Sequence, residues 1–121
     1  MSPSSFRPHS LHDSLILSIT RETLTPDYTR RPVVYNRLTL ALDARGALFD
    51  SRVTGIEFDN CRVVSGDLDA AVGTMWWYDD DLTRKGDRYE LRITFSTGKG
   101  KDHPAVVLSF TDLRVTRTGD A

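Results

Sequence analysis

Between Arg88 and Ser96 the side-chain character reverses at every step: Tyr89, Leu91, Ile93 and Phe95 alternate with Arg88, Glu90, Arg92 and Thr94. Successive side chains of a β-strand point to opposite faces, so this spacing predicts a half-buried strand. The same period recurs along the chain. Leu11 to Thr20 reads as a strand with Leu11, Leu15, Leu17 and Ile19 on its apolar face, and with Ile16 on the polar one. Val33 to Leu42 places Val34, Leu38, Leu40 and Leu42 together, opposite Tyr35, Arg37 and Thr39. Phe49 to Val64 is rich in β-branched and aromatic residues and reads as one long strand or two short ones, with Gly55 marking a bulge. In Ala105 to Arg117, Val106, Leu108 and Phe110 have one parity and Leu113 and Val115 the other. A bulge near Thr111-Asp112 restores them to a common face.

The connections fit this reading. Asp43-Ala44-Arg45-Gly46 has the composition of a turn, and Leu24 to Pro32, with two prolines, reads as a connection or weak edge. One short helix is expected, capped by Asp67, running through Leu68 to Val72 and ended by Gly73. Acidic and basic charge is carried by 14 Asp against 3 Glu and 13 Arg against 3 Lys, with no glutamine, which disfavours long helices. The chain is therefore expected to be mainly β: an antiparallel sandwich or open barrel of five or more strands with one short helix, or else an α+β arrangement. Its 121 residues suit a single domain over 11–121, preceded by a flexible arm over 1–10 that contains Pro3 and Pro8.

Charge and composition narrow the function classes. Sixteen basic residues against seventeen acidic ones leave a net charge of −1, so there is no broad positive field for nucleic acid or anionic lipid. The longest apolar runs fall far short of the roughly 20 residues that span a bilayer. Met1 to Ser10 lacks the apolar core of a secretory signal. Cys61 is the single cysteine, which suits a reducing cytoplasm, and within a strand it is expected to be buried. A near-neutral charge leaves a homo-oligomer open.

Candidate chemistry is sparse. His12-Asp13, adjacent on an expected strand, would point to opposite faces and form no dyad. Gly98-Lys99-Gly100-Lys101 lacks the spacing of a phosphate loop and reads as a hairpin loop, with His103 beside it. Asp79, Asp80 and Asp81 lack the spacing of a calcium loop. No catalytic residue, cofactor or metal ligand is assigned. The strongest contact candidate is Trp76-Trp77-Tyr78-Asp79-Asp80-Asp81: the aromatics would anchor a partner, and the acids, expected in a turn and loop, would steer a basic one.

Leu11-His12-Asp13-Ser14, followed by Ile16 and Ile19, resembles the opening strand of small bacterial β-rich proteins, the YxiG-like proteins and the immunity proteins of polymorphic toxin systems. Phe58 to Val63, Tyr89 to Leu91 and Ser109 to Leu113 fit the same outline. The resemblance implies a β-rich, non-enzymatic domain that binds a cognate toxin, and it brings no catalytic residues. The alternatives are a β-barrel holding a small ligand and a structural subunit of a homo-oligomer.

Overall fold

The computed structural model describes residues 6–23, 35–47, 50–98 and 103–118. Seven strands follow in order: β1 (Leu15–Glu22), β2 (Tyr35–Asp43), β3 (Val53–Ser65), β4 (Trp76–Lys85), β5 (Arg88–Ser96), β6 (Ala105–Phe110) and β7 (Asp112–Arg117). A single 3-10 turn, Asp69–Ala71, lies between β3 and β4. All strand pairs are antiparallel. The ladder runs β2-β1-β4-β5-β6-β3-β7, and β2 also pairs with β3. That extra pairing closes the sheet into a barrel, which removes most of the exposed strand edge that an open sheet would leave. The fold is all-β, as expected for an antiparallel sandwich or open barrel, and it is not the α+β arrangement.

Alternation does the building. Leu38, Leu40 and Leu42 from β2, Leu91, Ile93 and Phe95 from β5, and Val106, Leu108 and Phe110 from β6 all point inward and are buried. They meet Ile56, Phe58 and Cys61 of β3. Phe58 and Phe110 pack edge to face at 5.0 Å, an arrangement favoured by the ring quadrupoles.

Irregularities keep the apolar residues of the long strands facing in. β6 stops at Phe110 and β7 resumes at Asp112, so Leu113 is buried despite its opposite parity. In β3, Asn60 takes a left-handed backbone (φ 49°), which moves the inward parity from Ile56 and Phe58 to Cys61 and Val63. The two breaks are tied together: Asn60 Nδ2 donates to Thr111 Oγ1 (3.1 Å), and the Thr111 N–H donates to the Asp59 carbonyl (3.0 Å). The register also slips between Val53 and Gly55, beside the glycine expected to mark a bulge.

Several expectations differ from what is observed. The first strand begins at Leu15, not Leu11, and its register slips between Ile16 and Ser18. That bulge turns Ile16 into the core and leaves Leu17 52% exposed, the reverse of the simple alternation. Asp79 to Asp81 belong to β4 rather than to a loop, because β4 pairs continuously with β5 as far as Lys85. The two-turn helix contracts to one 3-10 turn whose N-cap is Leu68 rather than Asp67, although Asp67 Oδ1 accepts from the Ala70 N–H (3.2 Å). In the segment expected as a loose arm, Phe6 and Ser10 are buried, and Ser10 Oγ donates to the Arg7 carbonyl (2.6 Å). Residues 1–5, the connection over 24–32, and Lys99, Gly100 and Lys101 lie outside the described residues. No helix among the described residues is long and apolar enough to cross a membrane.

Candidate binding face

β4 pairs Trp76 with Ser96 and Trp77 with Phe95, then Asp79 with Thr94, so Tyr78 is an extra residue bulged out of the ladder. A bulge shifts the parity of everything after it. Trp77 therefore points in, and the next inward residue is Asp80, with Trp76, Tyr78, Asp79 and Asp81 on the outside. The six candidate contact residues are thus divided. Trp77 (1% exposed) and Asp80 (3%) belong to the interior, whereas Trp76 (46%) and Tyr78 (44%) are among the most exposed large apolar side chains described.

The inward pair is chemically matched. The Trp77 indole N–H donates to Asp80 Oδ2 (2.9 Å), and its ring packs on Phe95 at 6.3 Å. The other carboxylate oxygen, Asp80 Oδ1, accepts from the backbone N–H of His9 (2.9 Å). Burial pushes the Asp80 carboxyl above its usual range, and the two hydrogen bonds draw it partly back. Asp80 is in this way the anchor that fixes the N-terminal segment to β4.

The outward residues gather the chain's histidines. His9 Nδ1 lies 2.6 Å from Asp79 Oδ1. The hydrogen bond to Asp79 raises the His9 pKa, and reciprocally lowers that of Asp79. His12 Nδ1 donates to the Tyr78 carbonyl (2.7 Å), which fixes the proton on that nitrogen, and its ring meets the Tyr78 ring at 5.5 Å. His103 also stacks on Tyr78, at 4.4 Å with the planes 11° apart. All three histidines in the sequence therefore converge on Tyr78 and Asp79. His12 and Asp13 lie in a turn rather than on a strand, and there Nε2 comes within 3.5 Å of Asp13 Oδ1. Asp81 sits apart, opposite Arg92, in a mixed-charge surface with Lys85 and Glu90.

Sequence reasoning singled out the aromatic–acidic run but missed His9 and His103. Their only signal was scarcity, since nothing in the spacing of positions 9, 12, 78 and 103 reveals that barrel closure brings them together. Cys61 is buried as expected, and burial pushes its thiol up to about 12. Among the described residues, no group of three or more His, Cys, Asp or Glu is placed to hold a metal ion. No protein-family model, curated protein or solved structure matches this chain.

Proposed function

We propose that this chain is a non-enzymatic binding protein that occludes a protein partner, in the manner of the immunity proteins of polymorphic toxin systems, and that it acts in the cytoplasm. The observation that carries the reading is the exposure of Trp76 and Tyr78, two residues apart on β4, on the outside of a barrel whose interior holds the apolar core. Large aromatics held rigidly at a surface are the residues that most often dominate interface energy. Tyr78 contacts both the His12 and the His103 rings, so less side-chain freedom remains to be lost on binding. Asp79 and Asp13, beside the aromatics, favour a basic partner by steering its approach. The Leu11-His12-Asp13-Ser14 resemblance supports the same assignment, and its residues lead directly into this face.

The test is coproduction with the toxin domain encoded beside the gene for this chain. Protection of the producing cell and a stoichiometric complex on size exclusion are expected. Trp76→Ala and Tyr78→Ala should each weaken the complex by about 2 kcal/mol with the melting temperature little changed. Absence of a neighbouring toxin gene, or full protection by the double variant, counts against the proposal. Trp77→Ala is not a binding probe, because that ring is core and its loss reads as stability.

A further inference from the structure

A cleft of about 480 Å³ opens beside Trp76, lined by Asp13, Leu15, Asp43, Arg45 and Gly46. Its construction follows from the seam of the barrel. β1 and β4 share one ladder pair, Leu15 with Trp76, so Leu15 forms a partly apolar floor next to the indole. The margin beside Asp13 is kept low by Gly46, where a side chain would come within 3.2 Å of the Asp13 carbonyl.

The charges in the cleft are unequal. Asp43 is saturated: Arg45 donates to it from Nε (2.9 Å), Nη2 (2.8 Å) and the backbone N–H (3.1 Å). Those hydrogen bonds hold the Asp43 carboxyl down at about 2. Asp13 is different. Its side chain is 60% exposed, its nearest basic group is His12 Nε2 at 3.5 Å, and among the described residues no lysine or arginine pairs with it. The cleft thus offers an aromatic face, an apolar floor and one carboxylate without a strong cationic partner.

We infer that this cleft receives an arginine side chain of the protein partner, its guanidinium stacked on the Trp76 indole and paired with the Asp13 carboxylate. The inference rests on the binding-face reading and names the chemistry that face takes. A guanidinium is planar, weakly hydrated and forked, so it can lie on an indole while two of its N–H groups reach one carboxylate; an ammonium does only the second well. Arg45 on Asp43, in the same cleft, is the same forked contact made within the chain. Arg45 itself is committed to Asp43, which leaves Asp13 to the incoming group.

The experiment uses the full chain and a small probe, Nα-acetyl-arginine methylamide, titrated while the indole N–H signals are followed by NMR. Trp77 is buried and bonded to Asp80, so it serves as an internal reference. The arginine probe should shift the Trp76 signal in a saturable way. The matching citrulline compound, neutral but of the same shape, should leave it unmoved, and the lysine compound should bind more weakly than the arginine one. Asp13→Asn should weaken the arginine probe about tenfold, which corresponds to about 1.4 kcal/mol. Asparagine suits the left-handed backbone of Asp13 (φ 72°), so this variant keeps the fold, and an unchanged melting temperature confirms it. Equal shifts with citrulline, or undiminished binding by Asp13→Asn, overturn the inference. Two other occupants are distinguished in the same way. Tighter probe binding after Lys99→Gln and Lys101→Gln together assigns the cleft to the chain's own lysines. Trp76 shifts that follow protein concentration without probe assign it to a second copy. Either result overturns the inference. Because the probe is read without any partner, a silent titration alongside an intact toxin complex sinks only the arginine seat. A working titration with no complex sinks only the occlusion reading.

Discussion

Asp80 is a buried carboxylate whose two oxygens meet two different donors, the Trp77 indole N–H and the His9 backbone N–H. The Trp77 donor is fully enclosed, so removing its acceptor leaves a desolvated N–H with no partner, which costs about 1–3 kcal/mol. Asp80→Ala should therefore destabilise the protein by that amount in urea denaturation. Trp77→Phe combined with Asp80→Ala should cost less than the two single losses added, because donor and acceptor then leave together. Strict additivity of the two would mean that the hydrogen bond carries no stability. Next to this pair, His9 and Asp79 form an exposed one, and its sign is fixed by the two shifts. The His9 pKa is raised above 6.5, so its share of stability is full below that pH and is lost as pH climbs through the raised value. The Asp79 pKa is lowered below 3.8, so its share is full above that pH and is lost as pH falls through the lowered value. Both contributions are full together between 3.8 and 6.5, and exposure keeps them small. In an NMR titration, the His9 midpoint should lie above 6.5 in the native chain and return towards 6.5 in Asp79→Asn; an unmoved midpoint would show that the contact does not persist in solution.

At the scale of elements, what separates a legible strand from a misread one is whether its parity survives from end to end. β5 does: Leu91, Ile93 and Phe95 are buried in the order that alternation demands. β1 does not, because the slip between Ile16 and Ser18 comes in the middle of an apolar run, Leu15-Ile16-Leu17, where either parity satisfies the pattern. The break at Thr111 was legible because Leu113 and Val115 would otherwise have been left outside. The bulge at Tyr78 was not, since Trp76, Trp77 and Tyr78 are all large and aromatic, and nothing local says which one turns inward. For the same reason the candidate face was only half legible: the residues were named, but the inward turn of Asp80 and the arrival of His9 and His103 depend on closure of the barrel. A second element-scale constraint, Gly66, leaves no periodic trace at all. It follows β3 with φ 88°, and a Cβ there would collide with the Ala105 carbonyl and sit 2.9 Å from Val106 Cα. Both contacts are backbone of β6, which cannot swing aside as a side-chain tip would. Gly66→Ala should thus destabilise by about 3 kcal/mol or more, combining backbone strain with steric displacement. A thermal melt within error of the native chain would show that the β3–β6 junction yields freely.

The whole molecule is a ring of strands whose closure joins segments distant in sequence, and Cys61 reports on that closure. It lies on β3 at the point where the strand leaves β7 for β6, and opposite Tyr35 of β2. Its side chain has no exposure, so the thiolate has nowhere to be solvated while the barrel is intact. Burial raises the thiol from 9.0 to about 12, with Arg88 and Arg21 opposing only weakly. The consequence for stability has a definite sign. Above pH 9.0 the unfolded chain releases the thiol proton and the folded one does not, so the unfolded state binds fewer protons and stability falls as pH rises towards about 12. Every other source of pH dependence is shared by a chain without the thiol. Comparing native protein with Cys61→Ala therefore isolates the contribution. The alanine variant loses packing at every pH, so the informative quantity is the slope rather than the level. Between about pH 8 and about pH 10.5, the urea midpoint of the native chain should drop more steeply than that of the variant, with equal m-values marking the same surface exposed on unfolding. Parallel curves would mean that Cys61 ionises in the folded protein, and hence that β3 parts from its neighbours without the rest of the barrel unfolding.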